Sequence, residues 1–90
     1  MNFLKFDLGK QKTGKTVKVI LSGSAVNVRL INNTNMFNYE HGHAYESFGG
    51  LAKKALIEMK IPEADHWFVV VDLKGIKGAE GKIDASVSVV

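Results

Sequence analysis

Hydrophobic and polar residues alternate with a period of two along much of the chain, which is the pattern of β-strands with one buried face. The alternation runs through residues 4–8, 17–21, 26–30 and 83–89. Ser22-Gly23-Ser24 separates the second of these segments from the third and has the composition of a tight turn. The second and third segments are therefore predicted to form a β-hairpin.

Residues 66–72 form a different kind of segment, because residues 67–71 are all apolar. A short run that is apolar on both faces is typical of a central strand that is covered on both sides. We predict such a strand over residues 66–72 and expect Trp67 to be buried within it.

The segment before it fits either a helix or a strand. Residues 51–60 contain strong helix formers, but no capping residue precedes Leu51. Ile57, Met59 and Ile61 also alternate with charged residues. We predict a strand over residues 55–61.

Two shorter segments complete the secondary-structure prediction. Residues 32–38 are predicted to be a polar turn, and residues 43–48 a short strand that ends at Gly49-Gly50. The total is about seven short strands, which is typical of a β-sandwich. We therefore predict a single all-β domain over residues 1–90, a small sandwich with a jelly-roll or a partly open barrel as its variants.

The composition and charge of the chain exclude several classes of site and disfavour others. The chain is 46% hydrophobic and 23% charged, as in a folded globular domain, and it has no cysteine, which excludes disulfides and thiolate metal sites. Residues 1–11 lack the apolar core of a signal peptide, and no apolar run is long enough to span a membrane. We therefore expect a cytoplasmic protein. The net charge is +3, but residues 8–16 carry lysines without arginine or aromatic residues, so nucleic-acid binding is disfavoured.

One segment matches a phosphate-binding motif. Gly9, Gly14, Lys15 and Thr16 occupy the fixed positions of the P-loop pattern. A P-loop must lead into a helix whose N-terminus faces the phosphate, whereas residues 16–21 are β-branched and alternating. Nucleotide binding is therefore the least favoured function, and a lysine-rich turn is expected here.

The densest cluster of aromatic and polar residues lies at positions 37–46. Aromatic rings with polar tips beside glycine are typical of contact surfaces, so the predicted ligand or partner contacts are Phe37, Tyr39, His41, His43 and Tyr45. On a strand, His41, His43 and Tyr45 would share one face. With His66 or Asp65 as a third ligand, the two histidines could instead form a metal site. A hydrolase could use the histidines, Glu40, Glu46 or Asp65 as acid and base.

Several segments resemble a known bacterial family. They are residues 3–9 (FLKFDLG), residues 22–30 (SGSAVNVRL), Gly49-Gly50, Ile61-Pro62, and His66-Trp67 leading through Val69 and Val71 to Asp72. The family is domain of unknown function eighteen-eighty-three, whose members occur alone or fused to larger chains, some with TIR domains. The resemblance implies an accessory or sensing role and brings no known activity, substrate or catalytic residue.

From these observations we predict a non-catalytic binding or interaction module for a protein or small-molecule ligand, without a cofactor. The alternative is a small metal-binding protein or hydrolase that uses His41, His43 and His66. The two classes differ in one respect that a structure can address, which is whether these three histidines lie close together.

Overall fold

The computed structural model describes residues 3–22, 25–76 and 83–90. Its elements, in chain order, are β1 (Phe3–Gln11), β2 (Thr16–Ser22), β3 (Val26–Asn32), α1 (Asn33–Glu40), β4 (Phe48–Ala52), β5 (Leu56–Lys60), β6 (Asp65–Asp72) and β7 (Asp84–Val89).

Within these residues the strands form two antiparallel sheets. One sheet has the order β1-β6-β3-β4 and the other has the order β5-β2-β7. Their facing side chains form one hydrophobic core, to which β2, β3 and β6 contribute most of the buried residues. The sheets do not close into a barrel. The predicted all-β sandwich is therefore confirmed.

The predicted hairpin of β2 and β3 is wrong. β2 pairs with β5 and β7, whereas β3 pairs with β4 and β6, so the chain crosses from one sheet to the other between Ser22 and Val26. A turn signal shows where a strand ends but does not show which sheet the next strand joins. The predicted turn residues Gly23 and Ser24 lie outside the described residues.

β6 is the central strand that the sequence predicts. Its residues Trp67, Val69 and Val71 point into the core between the sheets. Phe68 and Val70 point to the other face, where they pack against α1. Trp67 is buried as expected, and its indole N–H donates to the carbonyl oxygen of Glu63 at 2.9 Å.

Residues 32–38 are not the turn that we predicted, because a helix begins at Asn33. Asn32 caps it, since its side-chain oxygen accepts a hydrogen bond from the backbone N–H of Asn35 at 3.0 Å. Met36 and Tyr39 are buried on the outer face of the four-stranded sheet. The cap and this packing explain why an asparagine-rich segment of low helix propensity is helical.

The strand predicted over residues 43–48 is displaced to Phe48–Ala52, so Gly49 and Gly50 lie inside β4 rather than at its end. Gly49 has a φ of 96°, and a Cβ at this position would lie 2.3 Å from the carbonyl oxygen of Val28. Glycine therefore allows β4 to approach β3 at this point.

The strand predicted over residues 55–61 is confirmed as β5. It pairs with β2, while Ile57 and Met59 pack against the core and Ile61 is buried. The P-loop-like segment also leads into a strand as expected, because Thr16 is the first residue of β2. Among the described residues, no helix is long and apolar enough to cross a membrane.

Candidate ligand-binding cleft

Three of the predicted contact residues form an exposed patch at the C-terminal end of α1. The ring of Phe37 stacks on the ring of His41 with centroids 4.1 Å apart, and the ring of His43 lies 6.5 Å from that of Phe37. The rings of the two histidines are 6.3 Å apart. They lie at the helix end and in the connection after it, rather than on one face of a strand.

The other two predicted contact residues belong to a different environment. Tyr39 is only 1% exposed, so its side chain is not available at the surface. Tyr45 is half-buried, and its ring meets that of Tyr39 edge to face at 5.0 Å. Sequence spacing therefore grouped residues that the fold separates into a surface patch and an inward-facing pair.

His66 lies elsewhere, on β6 beside β1. Its Nε2–H donates a 2.6 Å hydrogen bond to Oδ1 of Asp7, and its ring stacks on that of Phe68. The backbone N–H of Gly9 and the His66 side chain lower the pKa of Asp7. Residues 3–22, 25–76 and 83–90 contain no group of three or more histidine or acidic residues close enough to hold a metal ion. The three histidines therefore do not form one metal centre.

A buried carboxylate, whose role the sequence analysis did not predict, organises the region behind Tyr45. Asp72 ends β6 and is fully buried. Its Oδ1 accepts hydrogen bonds from Asn27 Nδ2 at 2.7 Å and from the backbone N–H of Lys74 at 3.1 Å. Its Oδ2 accepts from the hydroxyl of Tyr39 at 2.6 Å and from Arg29 Nε at 3.0 Å. These four donors saturate the carboxylate.

The hydrogen bonds fix the protonation states in this network. Burial opposes ionisation of Asp72, but the hydrogen bonds from Tyr39, Asn27 and Arg29 outweigh it and hold the pKa of the carboxyl below its ordinary value. Burial and the hydrogen bond to Asp72 raise the pKa of Tyr39. Burial disfavours the charged form of Arg29, but its contact with Asp72 prevails and raises the pKa of the guanidinium. Near neutral pH the network therefore holds a charged aspartate, a charged arginine and a neutral tyrosine.

Arg29 connects this network to an open cleft of about 640 Å³. The cleft lies where β3, the start of α1 and the residues before β4 meet. Its lining combines planar polar groups with aromatic rings, and the residues are Arg29, Asn32, Asn35, Tyr45, Glu46, Ser47, Phe48, Gly49, Glu63 and Trp67. Tyr45 is the one predicted contact residue among these, and its ring lies 5.8 Å from the guanidinium carbon of Arg29.

The family model for Domain of unknown function (DUF1883) matches residues 1–90. The chain belongs to this family. No curated protein and no solved structure matches it.

The cleft of this DUF1883 domain and the hydrogen-bond network behind it were hard to find in the sequence, because their residues lie far apart along the chain. Asp72 accepts from side chains 33 to 45 positions away. Two signals were present: Asp72 is the polar end of an otherwise apolar strand, and Arg29 is the only arginine in the chain. Neither signal shows that the two residues form an ion pair.

Proposed function

We propose that this DUF1883 domain is a non-catalytic binding module of the bacterial cytoplasm, and that the cleft beside Arg29 receives its ligand. The observation that carries the proposal is the hydrogen-bonded ion pair between a cleft-lining arginine and a buried, saturated carboxylate. Ligand sites are typically preformed clefts of roughly 300–1,000 Å³ with a few well-placed polar groups. The cleft, at about 640 Å³, fits that description.

The aromatic side chains of the cleft support binding of an organic ligand. Phe48 is 53% exposed, which is unusual for a phenylalanine in a strand, and its ring lies 6.1 Å from that of Trp67. Together, Phe48 and the half-buried Tyr45 offer apolar surface beside the polar groups of Arg29 and Asn35, and the buried ring of Trp67 lies behind Phe48. This combination favours a ligand with both an apolar and a polar part.

The protonation states favour binding over acid–base catalysis. A general acid or base works best when its pKa lies near the working pH. The pKa of Asp72 is lowered and that of Tyr39 is raised, so both residues keep one protonation state near neutral pH. Their contribution to the cleft is positional, because they hold Arg29 and α1 in place.

The exposed patch of Phe37, His41 and His43 is a second surface, separate from the cleft. It lies at the opposite end of α1 from Asn32, the N-cap residue that lines the cleft. We propose it as a contact surface for a partner protein, since stacked aromatic rings exposed on a short helix are suited to that role. Tyr39 then supports the fold behind both surfaces without contacting either ligand or partner.

The test is recovery of a small molecule by the purified domain. The protein is incubated with the small-molecule fraction of bacterial cytoplasm, washed by ultrafiltration and denatured, and the released molecules are identified by mass spectrometry. Phe48→Ala removes a cleft residue, and Leu51→Ala is the matched control. Both side chains are exposed on β4, at 53% and 58%, but Leu51 lies outside the cleft.

We expect wild type and Leu51→Ala to retain the same molecule and Phe48→Ala to lose most of it. Absence of any retained molecule from the wild-type domain would contradict the proposed function. Equal retention by the two variants would contradict the assignment of this cleft as the site.

A further inference from the structure

We infer that the cleft holds its ligand through an oxyanion, a carboxylate or a phosphate, bound by the two terminal nitrogens of the Arg29 guanidinium. This inference rests on the proposed function and names the class of ligand. It is carried by three features of the described residues, which are the free edge of Arg29, the way that Arg29 is held, and the position of the N-terminus of α1.

The first feature is the free edge of the guanidinium. Arg29 uses Nε to bind Asp72, and in the described part of the chain no group accepts a hydrogen bond from its terminal nitrogens. Every fully buried side-chain nitrogen in those residues has a hydrogen-bond partner. The terminal nitrogens of Arg29 have none among those residues, so they are not fully buried and solvent reaches them. The side chain is 19% exposed and lines the cleft. Two parallel N–H groups of this kind match the two oxygens of a carboxylate or phosphate.

The second feature is preorganisation. Asp72 is fixed by Tyr39, Asn27 and the backbone of Lys74, and it in turn fixes Arg29. An arginine that is already held loses little conformational entropy when it binds a ligand. The carboxylate of Asp72 cancels one positive charge, but the ammonium group of Lys74 lies 4.2 Å from the ring centroid of Tyr39 and 5.8 Å from that of Tyr45. Lys74 therefore adds a second cation beside the pair of Arg29 and Asp72.

The third feature is the N-terminal end of α1, from which Asn32 and Asn35 line the cleft. The first turn carries no acidic residue, so the partial positive charge of the helix end is not neutralised there. The amide nitrogen of Asn32 has no partner among residues 3–22, 25–76 and 83–90 and can donate to an anion. This end of the helix and Arg29 therefore contribute donors to the same cleft.

The remaining charges limit the negative charge that a ligand can carry. Glu46 and Glu63 also line the cleft, and both are exposed. Two carboxylates at its edge disfavour a ligand with several negative charges, such as a nucleoside triphosphate. A single oxyanion attached to an apolar group fits best, with the apolar group against the exposed ring of Phe48.

The experiment compares an anion with a neutral molecule of the same shape. Sodium benzoate, sodium phenyl phosphate and uncharged benzamide are titrated into the wild-type domain, and binding is followed by NMR at the guanidinium of Arg29 and the indole of Trp67. The chain has one arginine and one tryptophan, so both signals are unambiguous. We expect saturable shifts of the Arg29 signals with at least one anion, and benzamide at least about tenfold weaker. The two anions separate a carboxylate site from a phosphate site.

Two cleft variants and one control variant locate the site at which the anion binds. Arg29→Lys keeps the charge but loses the paired N–H groups, and we expect it to weaken anion binding about tenfold or more. Phe48→Ala leaves the Asp72 network intact and should weaken binding severalfold, whereas Lys15→Ala, outside the cleft, should have no effect.

Benzamide binding as tightly as the anions, or unchanged anion binding by Arg29→Lys, would overturn the inference. Failure of both anions to bind a domain that retains a cellular molecule would also overturn it, while leaving the proposed function in place. Failure of the anions together with absence of any retained molecule would overturn both.

Discussion

The hydroxyl of Tyr39 donates a 2.6 Å hydrogen bond to Oδ2 of Asp72, and both side chains are buried. The bond ties α1 to the end of β6 across 33 positions of sequence. The same oxygen accepts from Arg29, so the position of the helix and the orientation of the arginine depend on one carboxylate. Asp72 therefore holds Arg29 in position at the cleft.

Tyr39→Phe should lower the free energy of unfolding by about 1.5–3 kcal/mol, because it removes a buried hydrogen bond to a charged group. Tyr45→Phe is the matched control. Its hydroxyl makes no hydrogen bond to the described residues, so we expect a loss below about 0.5 kcal/mol. Urea denaturation of both variants measures the difference. Equal losses would show that the bond between Tyr39 and Asp72 contributes little.

Asp72→Asn should lower the free energy of unfolding by about 3–5 kcal/mol, because it leaves Arg29 without its buried counter-charge. Its new amide N–H groups would also face donors, such as the side chain of Asn27. Asp84→Asn, an exposed change on β7, should be nearly silent. A loss as small as that of the control would contradict the assignment of Asp72 as the central acceptor.

The same residue predicts how stability depends on pH. The pKa of Asp72 is lower in the folded protein than its ordinary value of 3.8, so folding favours the ionised form. Its contribution to stability is therefore complete above that value and is lost as the pH falls below it. Between pH 5 and pH 2 we expect wild type to lose more stability than Asp72→Asn. Parallel pH profiles for the two proteins would contradict this prediction.

Gly49→Ala should destabilise the domain more than Gly9→Ala. Both glycines have positive φ, at 96° and 69°, so both changes carry a strain of about 1–2 kcal/mol. Only at Gly49 would the new Cβ meet a backbone atom, the carbonyl oxygen of Val28 at 2.3 Å. We expect an additional loss of about 1–3 kcal/mol, measured by chemical denaturation. Equal losses would show that β3 and β4 can separate at little cost.

Much of the fold could be predicted because a half-buried strand has a local signature. The alternation at Ile57, Met59 and Ile61 identified β5 against a competing helical pattern, since each inward side chain packs against the core. The continuous apolar run around Trp67 identified the strand that is covered on both faces. These features depend on periodicity alone, which a single sequence displays.

The errors arose where a long-range contact determines the structure. The sheet that β3 joins is set by pairing with Val69 and its neighbours on β6, about forty positions away, and no turn residue encodes that choice. α1 has little helix propensity and is stabilised by packing of Met36 and Tyr39 on the sheet. Its only local signal was the capping asparagine, Asn32.

The candidate site was predicted only in part for the same reason. Tyr45 was singled out for its chemistry and does line the cleft. Arg29 and Asp72 each occupy an ordinary strand position, and their importance appears only when pairing of β3 with β6 brings them together. A buried ion pair has no local sequence pattern, because the position of one partner in the chain does not indicate where the other partner lies.

Lys15→Ala should leave the melting temperature and its response to magnesium ATP the same as in wild type. Gly9 lies in β1 and Thr16 begins β2, so no helix N-terminus follows the P-loop-like segment. A ligand that binds the folded state raises the melting temperature as its concentration passes the dissociation constant. A stabilisation by ATP that Lys15→Ala abolishes would contradict this prediction.

Whether Asp72 holds Arg29 at the cleft is tested most directly by the rate at which the Nε proton of Arg29 exchanges with water, measured by NMR. The signal can be assigned without ambiguity because the chain has a single arginine. If Asp72 holds the guanidinium through Nε, at 3.0 Å, this proton should exchange at least about tenfold more slowly than that of free arginine at the same pH and temperature. Exchange as fast as in free arginine would contradict the claim, because it would mean that Arg29 is not held at the cleft.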